Sequence, residues 1–223
     1  MSELIEVRRR LHEENDRRAA QLRKQFNAAG TLVVDLVSSP GSGKTTLLEL
    51  TVDYFADRLT TAVLVGDVAT ERDAQRIRDA GGTAHQIITG GACHLDAQLV
   101  ADGLKSSGFE LPDILFLENV GNLVCPASYD LGEDFKTVLL SVPEGDDKPL
   151  KYPAIFSRAA VCLITKSDLL PHLPFSPEDA VRHVNLLNPD SVILQMSAMN
   201  GDGFEEWCDL LEREHQAKRA ALV

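Results

Sequence analysis

The sequence has no run of about 18 or more apolar residues, so no segment is expected to span a membrane. Residues 1–27 are rich in charge and lack a central apolar stretch, which argues against a secretion signal and for a cytoplasmic protein. Cysteine is sparse: Cys93, Cys125, Cys162 and Cys208. Four cysteines in a non-secreted chain of 223 residues do not suggest a disulfide framework, so each is a packing, catalytic or metal-ligating residue. Positive charge is also scarce. The 22 Lys and Arg are outnumbered by 34 Asp and Glu, for a formal net charge of −12. An acidic body argues against nucleic acid as a partner, because a phosphate backbone is met by clustered cations. One nucleotide in a local cationic pocket stays compatible. Internal repeats and low-complexity segments are absent.

What is present is ordinary globular composition, enough for one domain with its own core. Residues 1–28 predict an N-terminal amphipathic helix, with Leu4, Val7, Leu11, Leu22 and Phe26 near one stripe and Arg8, Arg9, Arg10, Arg17, Arg18, Arg23 and Lys24 over much of the rest. It reads as packed on the domain; a partner-docking helix is the rarer alternative. Gly30 stands where a C-terminal cap is expected. Residues 29–223 then alternate between short apolar, β-rich runs and helical patterns. Strands are expected at 31–37, 61–65, 84–88, 114–117, 137–142, 160–164 and 191–196, and helices at 44–56, 71–80, 95–105, 177–187 and 203–219. The strand runs are continuously apolar, so the fold class is α/β with a mainly parallel sheet covered by helices on both faces. Ligands in such sheets bind at the carboxyl ends of the strands.

One segment there carries specific chemistry: Ser38-Ser39-Pro40-Gly41-Ser42-Gly43-Lys44-Thr45, followed by Thr46. It is a phosphate loop with Ser38 in place of the usual first glycine. Gly41 and Gly43 let the backbone of Ser42 and its neighbours turn N–H groups toward phosphate, Lys44 brings charge to the β- and γ-phosphates, and Thr45 offers a hydroxyl to Mg²⁺. The helix that follows adds its positive end. The chain is therefore expected to be a P-loop NTPase.

Two carboxylates close predicted strands, Asp67 the second and Glu118 the one at 114–117. Glu118, in Glu118-Asn119-Val120-Gly121, is expected to hold Mg²⁺ and sense the γ-phosphate; Asp67 is expected to touch the metal or orient the attacking water. Thr165-Lys166-Ser167-Asp168 matches a guanine reader with Thr165 in place of Asn. One carboxylate accepts both the N1–H and the N2 amino group of guanine, whereas N1 of adenine is an acceptor and repels it. Asp168 is therefore the expected reader, with the Lys166 stem along the base and Ser197-Ala198 near the guanine oxygen. This order of elements favours GTP over ATP.

Cys93-His94 follows Thr89-Gly90-Gly91, and Cys125 lies in Val124-Cys125-Pro126. Thiolate and imidazole suit Zn²⁺ or Ni²⁺. Adjacent Cys and His cannot close a four-coordinate site alone, and small buried hydrophobes are the competing reading. Cys162, in a core strand, and Cys208, on an amphipathic helix, read as packing.

These segments, with Cys93-His94-Leu95-Asp96-Ala97, Glu118-Asn119-Val120-Gly121-Asn122-Leu123-Val124-Cys125-Pro126 and Glu144-Gly145-Asp146-Asp147-Lys148-Pro149-Leu150-Lys151-Tyr152-Pro153, resemble the HypB family of hydrogenase nickel-incorporation GTPases over nearly the whole chain. The resemblance implies a GTP-dependent homodimer of the SIMIBI-type branch, in which two subunits face each other across the nucleotides. It implies that Cys93, His94 and Cys125 form a Zn²⁺ or Ni²⁺ site at the dimer interface, the second subunit supplying the missing ligands. It also implies partners: another nickel-delivery accessory protein and a hydrogenase large-subunit precursor. The N-terminal cysteine cluster or His-rich stretch of some members is missing, since residues 1–28 hold no cysteine and only His12, so no separate storage site is expected. Arg72, Lys148 and Lys151 receive no role. A urease-type nickel GTPase, expected to show Cys-Pro-His rather than Cys93-His94-Leu95, a metal-binding scaffold with little catalysis, and a small-molecule kinase are the alternatives.

Overall fold

The computed structural model describes residues 2–67 and 71–222; of the positions read above, the side chains of Leu4, Val7 and Arg8 lie outside the described residues. Seven strands form one parallel sheet: β1 (Leu32–Ser38), β2 (Thr61–Asp67), β3 (Thr83–Ile88), β4 (Ile114–Glu118), β5 (Phe135–Ser141), β6 (Val161–Thr165) and β7 (Val192–Gln195), in the order β3-β2-β4-β1-β5-β6-β7. Among these strands β1, β4 and β6 are buried at every position, while β3 and β7, at the two edges, keep exposed residues. That is why the central runs are apolar throughout: each strand has a layer of helices on both faces.

Alternation along β1 separates the layers. Leu32, Val34 and Leu36 face a core shared with α2 (Lys44–Phe55), α3 (Arg72–Asp79) and α8 (Phe204–Ala220), where Phe55, Ile77 and Trp207 are completely buried. Val33 and Val37 face the opposite layer of α1 (Ser2–Ala29), α4 (Ala97–Ser107), α6 (Pro153–Phe156) and α7 (Pro177–Leu187). A short α5 (Lys148–Lys151) precedes α6. Asp35 also points into this second layer, between the two apolar clusters, and is completely buried.

The N-terminal helix docks through Asn15, Ala19, Leu22 and Phe26, a stripe at spacings of four, three and four residues. Leu11 departs from the expected stripe: it is 60% exposed, because the docked face begins a turn later at Asn15. The helix ends at Gly30, whose φ of 72° is the left-handed conformation that glycine adopts without a Cβ clash. The helix expected from residue 95 begins instead at Ala97, since Asp96 is its N-cap and accepts from the Leu99 N–H at 2.8 Å.

Strand order puts β1 between β4 and β5, with Leu36 in register with Glu118. The loops leaving β1 and β4 therefore emerge side by side at the carboxyl edge, where the candidate residues gather.

Candidate nucleotide and metal sites

The loop after β1 is turned by Gly41 (φ 75°) and Gly43 (φ 99°), and it ends directly at the N-terminus of α2. Ser38, the departure from the usual pattern, accepts a hydrogen bond from Lys44 Nζ at 2.9 Å, so the hydroxyl has a use that a glycine could not supply. Burial pushes the Lys44 ammonium below its ordinary value, against the opposing pull of Glu118, Asp73, Glu144 and Asp35. A cavity of about 590 Å³ opens over this loop and is lined by Gly43, Lys44, Thr45, Asp67, Asp73 and Glu118, among others.

Thr45 Oγ1 donates to Glu118 Oε1 at 2.7 Å. Glu118 Oε2 is buried and has no hydrogen-bond partner among the described residues. Burial raises this carboxyl to about 7, with Lys44 and Thr45 pulling the other way. An orphaned buried carboxylate oxygen beside a threonine hydroxyl is a donor set for a hard divalent cation, so the residues fit Mg²⁺.

A second cavity, of about 300 Å³, is lined by Leu47, Asp168, Leu169, Met196, Ala198 and Met199; Gly43, Thr46 and Lys166 border both cavities. The shape suits a flat base continuing into phosphates. Thr165 Oγ1 donates to the Ser42 carbonyl at 2.8 Å and Lys166 Nζ to the Gly41 carbonyl at 2.7 Å, so the base-side loop is bonded to the phosphate loop. Lys166 adopts φ 59°, unusual outside glycine. Ser197, expected near the guanine oxygen, is fully buried with its hydroxyl donating to Asp168 Oδ1 at 2.5 Å, while Ala198 lines the cavity.

Several groups here were not marked by motif. Ser42 Oγ donates to Glu144 Oε2 at 2.7 Å, which also accepts from the Ser141 N–H at 3.0 Å and Oγ at 2.8 Å. Burial pushes Glu144 up, but the hydrogen bonds from Ser39, Ser42 and Ser141 outweigh it and hold the carboxyl below its ordinary value. Lys148 Nζ lies 3.1 Å from Glu144 Oε1, which gives it a bracing place behind the phosphate loop; Lys151 makes an exposed pair with Asp147 at 2.6 Å. Arg72 is exposed at the start of α3. Arg76 binds Glu49 at 2.7 Å and 2.9 Å and Thr46 Oγ1 at 3.1 Å on the cavity wall.

Cys93, His94 and Cys125 converge. Their ligand atoms all lie within 4.8 Å of one another, with Cys93 Sγ 3.0 Å from Cys125 Sγ and 3.7 Å from His94 Nδ1. The hydrogen bond with Cys125, then burial, pushes the Cys93 thiol up. Burial lowers His94, which favours the neutral imidazole that ligates metals. Cys162 and Cys208 lie apart from this cluster, each buried and pushed up to about 12 by burial.

Asn119 connects the two sites. It follows Glu118 directly, its Oδ1 accepts from the Leu95 N–H at 3.0 Å, and its Nδ2 donates to Asp35 Oδ1 at 3.1 Å. Asp35 is paired with Lys136 at 2.6 Å, and Lys136 in turn with Glu133 at 2.7 Å. Burial works against the Lys136 charge, but Asp35 and Glu133 outweigh it and raise the ammonium. The sequence signal for this network is Asp35 itself, a charge in the middle of an apolar strand.

Residues 32–195 match the family described as CobW/HypB/UreG, nucleotide-binding domain. The hydrogenase maturation factor HypB of Azotobacter chroococcum is 45% identical over 222 residues, which is 100% of this chain and 73% of that protein. A crystal structure of HypB from Helicobacter pylori in complex with nickel superposes with TM-score 0.86 at 41% identity, covering 92% of this chain and 96% of that one. The signal recognition particle 54 kDa protein from Aeropyrum pernix, 13% identical over 86% of this chain and 49% of that one with TM-score 0.55, shares the SIMIBI-type P-loop NTPase fold alone. This chain belongs to the HypB family of hydrogenase maturation factors.

Proposed function

We propose that this chain binds and hydrolyses GTP and acts as a metallochaperone that aids nickel insertion during maturation of a nickel–iron hydrogenase. Nickel is the cargo; zinc is the competing occupant. The protein works in the cytoplasm as a homodimer, with Cys93, His94 and Cys125 at the interface. Three side chains from one chain leave a four-coordinate ion incomplete, and a second copy completes it. Another nickel-delivery accessory protein and a hydrogenase large-subunit precursor are its partners.

In this reading Gly41, Ser42, Gly43 and the N-terminus of α2 receive the phosphates on backbone N–H groups, Lys44 neutralises the β- and γ-phosphates, and Thr45 with Glu118 holds Mg²⁺. The bound Mg²⁺ supplies charge neutralisation across those phosphates. Asp67 orients the water whose oxygen bonds to the γ-phosphorus as the β–γ bridging bond breaks, leaving GDP and phosphate. Thr46 keeps Arg76 on the cavity wall. Asp168 reads guanine with Ser197 behind it, and Lys166 and Ala198 border the base.

The observation that carries the functional link is the Asn119–Leu95 bond, because it ties the residue after Glu118 to the residue after Cys93-His94. Loss of the γ-phosphate releases Glu118, and the strain reaches both ligand segments: one through Asn119 and Leu95, the other along the loop from Glu118 to Cys125. The test is nickel and zinc affinity of the protein with a GTP analogue and with GDP, for the intact chain and for Cys93→Ala. Nickel affinity that depends on nucleotide and is lost by more than about 100-fold in Cys93→Ala is the expected outcome, a ligand being worth more than its supporting shell. Identical affinity in the two nucleotide states would sink the coupling.

A further inference from the structure

Helix α1 lines neither the phosphate cavity nor the base cavity. Its polar contacts concentrate on the two segments that carry the metal ligands. Asn15 is buried, its Oδ1 accepting from the Ala97 N–H at 2.9 Å and its Nδ2 donating to the Asp130 carbonyl at 2.9 Å. Ala97 lies just past Cys93-His94, and Asp130 just past Cys125. One side-chain amide thus bridges, from the helix side, two stretches that are distant in the sequence and that Asn119 and Asn122 join from the nucleotide side, the latter donating to the Cys93 carbonyl at 3.2 Å.

Neighbouring contacts repeat the pattern. The His12 ring stands 5.0 Å from the Tyr129 ring, and the Tyr129 ring 4.0 Å from the His94 ring at a tilt of 38°. Arg23 pairs with Asp130 Oδ1 at 2.5 Å. Gly132 fits so closely beneath the helix that an added Cβ would meet the Ala19 carbonyl oxygen at 2.9 Å. The apolar stripe of Ala19, Leu22 and Phe26 is enough to dock a helix. A buried carboxamide adds what apolar contact lacks, because it fixes both distance and direction and is tolerated in the interior only with its groups paired.

We infer that Asn15 is a positioning residue for the metal trio: it sets the separation of the Cys93-His94 segment from the Cys125 segment, while His12 and Tyr129 hold the plane of the His94 ring. Residues 2–29 are then part of the metal centre rather than a helix laid over a finished domain. This rests on the reading of Cys93, His94 and Cys125 as the nickel site.

The experiment uses the full chain as wild type, Cys93→Ala and Asn15→Ala, titrated with nickel against a competing chelator, with the thiolate-to-nickel charge-transfer band recorded. Asn15→Ala is expected to weaken nickel binding by about 10- to 100-fold, the usual consequence of removing a group that orients ligands. The band shifts as the ligand geometry relaxes. Affinity for GDP stays within about twofold, as for a site that shares no partner with the mutated one. Cys93-dependent nickel binding with affinity and band unchanged in Asn15→Ala would overturn the inference alone. Nickel binding that survives Cys93→Ala would overturn the site reading and the inference with it. Should Asn15→Ala fail to fold, Asn15→Asp decides the question: it keeps an acceptor for Ala97 but sets a carboxylate against the Asp130 carbonyl. The same weakening is expected there, and unchanged affinity would overturn the inference.

Discussion

The phosphate grip and the cysteine–histidine trio sit at one edge of the sheet and are built in opposite ways. The grip is a single contiguous segment with its own inner bonds, Lys44 to Ser38 and Ser42 to the Ser39 carbonyl, which Glu144, Thr165 and Lys166 brace from outside. The trio draws on two segments from different crossovers, and its first member, Cys93, is exposed. Its alignment comes from amides outside the ligand set, Asn119 on the nucleotide side and Asn15 on the helix side. A contiguous site carries its own geometry, whereas a convergent site depends on its neighbours. Changes outside the gripping residues should therefore matter less to phosphate binding than to metal binding.

The largest effect tests whether the two sites stand apart at rest. Lys44→Ala removes the charge beside the β- and γ-phosphates, and GTP hydrolysis is expected to fall by about 10²- to 10³-fold, the usual loss when one aimed donor is removed from a transition state. Nickel affinity measured without nucleotide should stay as in the wild type. A parallel loss of nickel binding would break the comparison, since the metal ligands would then depend on the phosphate loop itself.

A middle-sized effect sharpens it. Asn119→Ala removes the acceptor for the Leu95 N–H and strands a buried donor, at a cost of about 1–3 kcal/mol, seen as a lower thermal midpoint. The ratio of nickel affinities with a GTP analogue and with GDP should collapse to about one, from a wild-type ratio in the range of about 5 to 150 that ordinary couplings span. A ratio that persists would route the coupling along the Glu118-to-Cys125 loop alone.

The same contrast explains what was legible in the sequence. The central strands follow from apolar runs, because a strand covered on both faces has few polar positions to blur it, and Asp35 in β1 is the exception. The glycine turn ahead of α2 was legible because its parts are adjacent in the chain, as are those of the proposed reader at Asp168. The four-residue α5 and α6 were not, since a single turn has no period to detect. The nearness of Cys93 to Cys125 could not be reached by spacing, with α4 and β4 between them, and came from family resemblance. Asn15 was invisible for a different reason: an asparagine among arginines and glutamates reads as solvent-facing, and only its two bonds distinguish it. The bond from the Ser197 hydroxyl to Asp168 was not legible either, because a motif reports which residues gather and not which way a hydroxyl points.

The smallest expected effect concerns the one replaced position in the proposed guanine reader. Thr165 stands where Asn is usual, and its hydroxyl donates to the Ser42 carbonyl at 2.8 Å, so it joins the base cavity to the phosphate loop. Thr165→Val keeps the shape and removes only the hydroxyl. A typical buried hydrogen bond contributes about 0.5–1.5 kcal/mol, so GDP affinity should fall by no more than about tenfold, with guanine preference kept, since Asp168 and Ser197 are untouched. Competition between GDP and ADP for the two proteins measures this directly. A loss of guanine preference would mean that Thr165 holds Asp168 in place. In that event the nucleotide site, like the metal site, would rest on a residue outside its own motif, and the contrast between contiguous and convergent construction would fail where it looked safest.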